Sequence, residues 1–329
     1  MSTTAQPIFI STSTLQSILT TPKPLIHHLQ TTLPTATSTT HSPLRHSHQT
    51  SPSSSLLLMP SWSLSPSLPY TGVKLVTHHP LNSSLHLPSI HANYILFDSL
   101  TGQTLAILDG TQLTLHRTAS ISALASLYLS RQNSQTLLMV GAGALAPHLI
   151  KAHLTVRPSI TRVIIWNRNF DKAKALVQNL KTESRVCFES SEELEPAVGV
   201  ADIISCATNS ETPLVKGAVM KEGAHLDLVG SFTETMRECD DEAIRRGRVF
   251  VDNEAAVVEA GELVGAFERG VIGRSEVVGD LVELIKGEKV GRRDEEEVTV
   301  FKSVGSAVVD LVSAQFVYET FINGYQSSE

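Results

Sequence analysis

The chain has 329 residues, 41% of them hydrophobic, and its 26 basic and 33 acidic side chains give a formal net charge of −7. That length suffices for two domains with a sizeable core. No apolar run approaches the roughly 20 residues of a membrane span, and the negative balance argues against nucleic acid, whose phosphates call for clustered Lys and Arg.

Cys187, Cys206 and Cys239 are scattered without CxxC spacing, so neither a disulfide framework nor a metal site is expected, and all three read as small buried residues. No Asp or Glu precedes Asp98, and nine of the 13 histidines fall in that same Ser-, Thr- and Pro-rich stretch. The bias resembles an organelle transit peptide, yet it continues far into sequence patterned like folded protein. Since Pro7, Ile8, Phe9 and Ile10 already read as a first strand, any presequence is expected to be very short or missing.

After IFI (8–10) comes a helix from Thr14 to Leu33, interrupted by Pro22 and Pro24. Short strands follow: LLLMP (56–60), GVKLVTHH (72–79), NYILFD (93–98) and TLAILDG (104–110), the last two joined by a hairpin loop over residues 99–102. This is an α+β segment built on antiparallel hairpins. Arg117 stands at the exit of its last strand, in HRTASISALASLYLS, which leads as a helix into a second domain.

That domain opens with LLMVGAGALAPH (137–148). Four apolar residues read as a buried strand, and Gly141-x-Gly143-x-x-Ala146 supplies a tight turn into a helix. A dinucleotide pyrophosphate fits such a turn, because small residues let the backbone approach and a helix start offers N–H groups and positive potential. A second strand, RVIIW (162–166), and a helix over DKAKALVQNL complete a βαβ unit, which raises the turn above an ordinary strand–helix junction. Asn167 and Arg168 stand where a carboxylate would accept from the ribose hydroxyl of NAD; an Arg pairs with a 2′-phosphate, so the sequence favours NADPH over NADH, unless Arg168 is simply solvated.

The chain then keeps alternating: VCF (186–188), a helix over SEELEPAV, DIISCAT (202–208), HLDLVG (225–230), a helix over DDEAIRRG, and VFVDN (249–253). Apolar strands alternating with helices imply a doubly wound parallel sheet covered on both faces. GRRDEEE (291–297) reads as a solvated loop, and the final helix carries Val304, Val308, Leu311, Val312, Gln315 and Val317 near helical spacing, so it returns to the N-terminal domain to bury its stripe. The expected domains are 1–117 with 303–329 for substrate and dimerisation, and 118–302 as a Rossmann domain.

Taken together, SPLRHSHQTSP, LLLMPSW, GVKLVTHH, TLAILDG, HRTASISAL, VGAGALAPH, IIWNR, ADIISCATNSETPL, VDNEAAVVEAGEL and TVFKSVGSAVVDL resemble the ornithine cyclodeaminase and mu-crystallin family, in collinear order along nearly the whole chain. At finer grain the resemblance is to its plant ketimine-reducing branch. It implies reduction of a cyclic ketimine carboxylate (piperideine-2-carboxylate to pipecolate, with the pyrroline analogue as a second substrate), a homodimer, a plastid location with the cytosol as runner-up, and a role in plant systemic acquired resistance. It also implies cofactor contacts from Arg117, Thr118, Gly141, Gly143, Ala144, Leu145, Ala146, Asn167, Arg168, Asn169, Ala207, Thr208, Asn209, Val229, Gly230 and Ser231.

Such a substrate needs a cation for its carboxylate and a proton for its imine nitrogen. Arg45 and Arg117 match family arginines, whose planar forks suit a carboxylate. Lys74 lies inside an apolar strand, where an unpaired ammonium is costly to bury unless alternation turns it to solvent; the resemblance makes it a carboxylate ligand or proton donor. His91, Glu259 and Phe232 are weaker candidates for lining the substrate. Cyclodeaminases carry a Val-Gly-Ala-Asp pattern where this chain reads Val229-Gly230-Ser231-Phe232. Losing that aspartate disfavours ornithine deamination but costs a reductase nothing. A lyase converting ornithine to proline and a cofactor-dependent small-ligand binder remain the alternatives.

Overall fold

The computed structural model describes residues 6–85, 87–181 and 185–326. Its contacts divide the chain into two units, Met1–Arg117 with Ser306–Glu329, and Thr118–Gly305.

The first unit holds a seven-stranded sheet: β1 (Ile8–Ile10), β2 (Thr40–His41), β3 (His46–Ser51), β4 (Ser54–Ser63), β5 (Tyr70–His78), β6 (Ile90–Asp98) and β7 (Thr104–Asp109). They run in the order β1-β7-β6-β5-β4-β2, with β3 also on β4. Every pairing is antiparallel except β1 with β7, so the hairpin pattern expected from the sequence stops at that edge. Strand β3 is exposed along its whole length, and with no buried face it carries no alternation to read. Gly102, at φ 70°, closes the β6–β7 turn.

The single interrupted helix expected over Thr14 to Leu33 is two helices, α1 (Thr12–Ile18) and α2 (Lys23–Thr39). Pro22 and Pro24 fall at the start of α2, where a missing N–H costs nothing, while Pro34 is accommodated inside it. The C-terminal helix, Ala307–Gln326, packs on α2, β4 and β5, burying Leu311, Val312 and Val317.

A third helix, α3 (Gly110–Leu129), begins in the first unit and ends in the second. Arg117 therefore sits about two turns inside a helix, not at a strand exit. Gly110 starts it because a Cβ there would lie 2.8–2.9 Å from the backbone of residues 92 and 93.

The second unit is an eight-stranded sheet of β8 (Thr136–Val140), β9 (Arg162–Trp166), β10 (Cys187–Ser191), β11 (Ile203–Cys206), β12 (His225–Leu228), β13 (Arg248–Val251), β14 (Gly279–Asp280) and β15 (Thr299–Lys302). All pairings are parallel, in the order β10-β9-β8-β11-β12-β15-β13-β14. The winding direction reverses between β8 and β11, where open parallel sheets bind their ligands. The crossovers include α4 (Ala146–Val156), α5 (Phe170–Leu180), α6 (Leu194–Val200), α7 (Asp241–Arg246), α8 (Ala256–Glu259), α9 (Gly261–Glu268) and α10 (Leu281–Lys286).

Strand β15 lies outside the expected strands; four residues beside a charged loop gave it no visible period, yet it runs between β12 and β13. That loop is not simply solvated. Arg292 reaches inward to donate to Leu129 O (2.8 Å) and Thr299 Oγ1 (3.2 Å), and the Glu297 side chain is only 7% exposed. Cys206 and Cys239 are buried as expected, whereas Cys187 is exposed.

Candidate active site

In the first unit, alternation along β5 turns Tyr70, Gly72 and Lys74 to one buried face. The C-terminal helix packs on this strand, and its first turn presents Asp310. Lys74 Nζ donates to Asp310 Oδ2 at 2.7 Å, and both side chains are nearly or fully buried. Arg117 Nε lies 2.9 Å from Oδ1 of the same carboxylate, an ion pair lacking the in-line geometry of a hydrogen bond. Arg45, half-buried in the turn before β3, is close enough for its charge to act on Lys74. Lys74 and Arg117 therefore meet on one aspartate, Asp310, which the sequence analysis does not name, with Arg45 within charge range of Lys74. Its signal was available: Asp310 is a lone charge in AVVDLV, just as Lys74 is in GVKLV.

Burial lowers the Lys74 pKa to about 8, assisted by Arg117 and Arg45 and opposed by Asp310. Burial would push the Asp310 carboxyl up, but Arg117 and Lys74 outweigh it and hold it below the usual carboxylate range. Two buried cations on one anion leave an excess of positive charge in a dry setting, which a ligand carboxylate would neutralise. Behind them Tyr94 faces Lys74 in register and is fully buried; its hydroxyl occupies the space above Gly72, where a Cβ would come within 2.1 Å.

His91 does not join this group. It is exposed on the opposite face of β6 from Tyr94, where it lines a hollow with Phe9, Asp109 and Thr111. Glu259 ends α8, half-buried, and Phe232 is 38% exposed in the loop after β12, both in the second unit.

At the switch point of the second unit, a cleft of about 410 Å³ is lined by Gly141, Ala142 and Gly143, by Trp166 to Asn169 with Lys172, and by Ala207 to Ser210 with Thr212 and Leu214. Gly141 adopts φ 113°, and a Cβ there would lie 2.6 Å from Ala207 O, so the fold itself demands glycine. A Cβ at Gly143 would meet nothing within 4 Å. The protein has no steric need for that glycine; the room left above it suits the close backbone approach of a pyrophosphate. Leu145, at the start of α4 just before Ala146, gives no side-chain cap. The N–H groups of Ala146 and His148 turn back on Gly143 O and Leu145 O and Pro147 has none, so the helix offers an anion beside the exposed Ala144 its positive end and not free first-turn donors.

Asn167 is committed to the turn: its Oδ1 accepts from Ala142 N (3.2 Å) and its Nδ2 donates to Asn169 O (2.9 Å), while the Asn169 side chain caps α5. Arg168 is exposed on the cleft wall, and Lys172, which the sequence reading did not single out, adds a second cation. These features fit a dinucleotide.

The cofactor residues named after β12 behave differently. Val229 is 8% exposed and Ser231 fully buried; the Ser231 hydroxyl donates to Glu262 and accepts from Lys302 Nζ (2.6 Å), so it faces a polar core and not the cleft. Thr118, on α3 after Arg117, is 7% exposed.

Residues 12–324 match the model of the ornithine cyclodeaminase/mu-crystallin family. The chain belongs to that family. It is 57% identical over 322 residues to Protein SAR DEFICIENT 4 of Arabidopsis thaliana, covering 97% of this chain and 99% of that one. It is 42% identical to a Delta(1)-pyrroline-2-carboxylate reductase of Colwellia psychrerythraea, covering 80% of this chain and 82% of the relative. Among solved structures, the Thermococcus litoralis Delta(1)-pyrroline-2-carboxylate reductase in complex with NADH and L-proline superposes with a TM-score of 0.91 at 30% identity, covering 96% and 98% of the two chains. The α/β architecture of the family is the one described above.

Proposed function

We propose that this family member is an NAD(P)H-dependent ketimine reductase that converts piperideine-2-carboxylate to pipecolate, with the five-membered pyrroline analogue as a second substrate. The observation that carries the reading is a pair of buried cations, Lys74 and Arg117, on the single carboxylate of Asp310. A pure scaffold has no use for two buried cations on one anion, whereas an imine carboxylate supplies a second anion. Relatives named as pyrroline-2-carboxylate reductases support the same chemistry.

Arg117 engages Asp310 through Nε, which leaves its terminal nitrogens for the substrate carboxylate beside Arg45. Lys74, protonated below its pKa of about 8, donates a proton to the imine nitrogen, and Asp310 holds the ammonium in place for it. Gly141 and Gly143 would hold a dinucleotide, whose chemistry would be to supply a hydride to the imine carbon. Reduction of C=N to CH–NH needs that hydride and one proton, and Lys74 is the group that would give the proton. Phe232, where cyclodeaminases place an aspartate, offers no base for a substrate ammonium, so deamination is the weaker reading.

NADPH is the preferred reductant on this reading, supported by Arg168 and Lys172 on the cleft wall and by the absence of a carboxylate at Asn167. The further proposals of a homodimer, a plastid location and a part in plant systemic acquired resistance rest on the family resemblance and the Arabidopsis relative.

The test mixes purified protein with each cyclic imine and with NADPH or NADH, following loss of the reduced cofactor's absorbance. Consumption with an imine and not with ornithine is expected; no consumption with either cofactor sinks the proposal.

A further inference from the structure

In the second unit a fully buried carboxylate, Glu238, ties together two loops that leave neighbouring strands. Its Oε1 accepts from Thr208 N (2.6 Å) and Thr208 Oγ1 (2.8 Å), and its Oε2 accepts from Gly230 N (2.7 Å). Thr208 follows β11 and lines the dinucleotide cleft, its methyl 3.3 Å from where a Gly141 Cβ would be. Gly230 follows β12, and a Cβ there would lie 2.1 Å from Thr208 O and 2.4 Å from Glu238 Oε1, so the three groups close on one another with no slack.

Glu238 is itself fixed from behind. Its carbonyl accepts from Leu214 N and Val215 N, its N–H donates to Glu262 Oε1 (2.6 Å), and Arg237 N donates to Ser210 O (2.7 Å). Glu262 accepts from Ser231 and pairs with Lys302 Nζ at 3.6 Å. Glu238, Glu262, Ser231 and Lys302 are all 0% exposed. Two carboxylates against one lysine is an expensive group to bury, and ordinary packing would replace it with apolar side chains at no loss of stability.

We infer that Glu238 is a positioning residue for the nicotinamide dinucleotide: its ionised carboxylate holds the Thr208 and Gly230 loops in the shape that accepts the cofactor. The inference rests on the cleft being the dinucleotide site. Three donors converge on one carboxylate, so protonation removes an acceptor and turns an O–H toward an N–H. The groups facing it are Lys302 from β15, Glu262 from α9, Cys206 from β11 and the adjacent Cys239. Burial, against Lys302 and with Glu262, pushes the Glu238 carboxyl up to about 7. The contribution of Glu238 to cofactor affinity is therefore present above neutrality and lost as the pH falls through 7.

Fluorescence titration of wild type and Glu238→Gln with NADPH and with NADH tests this directly, because the amide keeps one acceptor and mimics the protonated acid. The wild type is expected to bind more tightly by about tenfold or more near pH 8.5, tenfold being near the low end for one lost bond to a charged group. The advantage should shrink toward none near pH 5.5; taking the ratio cancels any titration of the cofactor's own phosphates. A ratio that stays at one, or that does not change with pH, overturns the inference while leaving the cofactor site intact. Failure of the wild type to bind either nucleotide overturns both.

Amide hydrogen exchange of the wild type alone covers the case in which the variant misfolds. Protection at Thr208 and Gly230, corrected for intrinsic rates, should fall between pH 8.5 and 5.5, and unchanged protection overturns the role.

Discussion

Both units bury ions where water does not reach, but with opposite balances. In the first, Lys74 and Arg117 share Asp310, leaving positive charge in excess; in the second, Glu238 and Glu262 share Lys302, leaving negative charge in excess. The second group discharges its excess internally, on the backbone N–H groups of Thr208 and Gly230 and the hydroxyl of Ser231. In the first, Lys74 and Arg117 both turn to Asp310. A buried anion can be satisfied by a chain rich in N–H donors, but surplus buried cations need an anion from outside. The first group therefore reads as a site and the second as a scaffold, and substitutions in the two should differ in kind.

The largest expected effect is on turnover. Lys74→Met removes the proposed proton donor but keeps a long apolar stem in the strand, so kcat should fall by about 10²–10⁴-fold, the usual range for a positioned acid. In the wild type kcat/KM should fall as the pH rises through about 8, where Lys74 loses its proton, and that limb should vanish in the variant. A variant with wild-type turnover, or one that keeps the alkaline limb, would remove Lys74 from the chemistry.

Next comes Asp310→Asn, which leaves Lys74 and Arg117 buried without their counter-ion. Breaking a buried pair costs about 3–5 kcal/mol, so the melting temperature should drop and activity with it. Because burial already lowers the Lys74 pKa, losing Asp310 should lower it further and move the alkaline limb to lower pH. A limb that moves up instead contradicts the assigned geometry.

The two glycines of the cleft separate folding from binding. Gly141→Ala forces a side chain to φ 113° with Ala207 O at 2.6 Å, and should cost about 1–3 kcal/mol of stability. Gly143→Ala puts its methyl into open space, so stability should stay within about 0.5 kcal/mol while dinucleotide affinity falls. Equal melting losses in the two variants would mean that Gly143 serves the fold, and the cofactor reading would lose its steric argument.

How much of this was legible in the sequence follows from what each signal measures. The βαβ order, the glycine turn and the strand ends at 137–140 and 162–166 are local patterns, and they match β8 and β9 closely. Strand β3 was not legible, because a strand exposed on both faces has no hydrophobic period; β15 was too short to show one. The cation cluster was half legible. A lone lysine in an apolar strand marks a burial problem, but its solution, Asp310, lies 236 residues away. The same rule applied to Asp310 in AVVDLV and Lys302 in TVFKSV would have marked both. Glu238, in MRECDDE, sits among other acids and looks like a solvated run; only tertiary packing distinguishes it.

The smallest expected effect concerns cofactor choice. Arg168 is exposed, so water and salt screen it, and Arg168→Ala should weaken NADPH by only about tenfold, near the low end for a charge-assisted hydrogen bond. Lys172 stands on the same cleft wall, and the double variant should lose more than either single one. NADH has no 2′-phosphate, so its affinity should hardly change. Arg168→Asp should go further and reverse the preference, since a carboxylate there accepts from a ribose hydroxyl and repels a phosphate. If Arg168→Ala weakens both nucleotides equally, the guanidinium acts on the part they share, the adenine or pyrophosphate. The preference for NADPH would then have to come from some other group, with Lys172 the first to be tested.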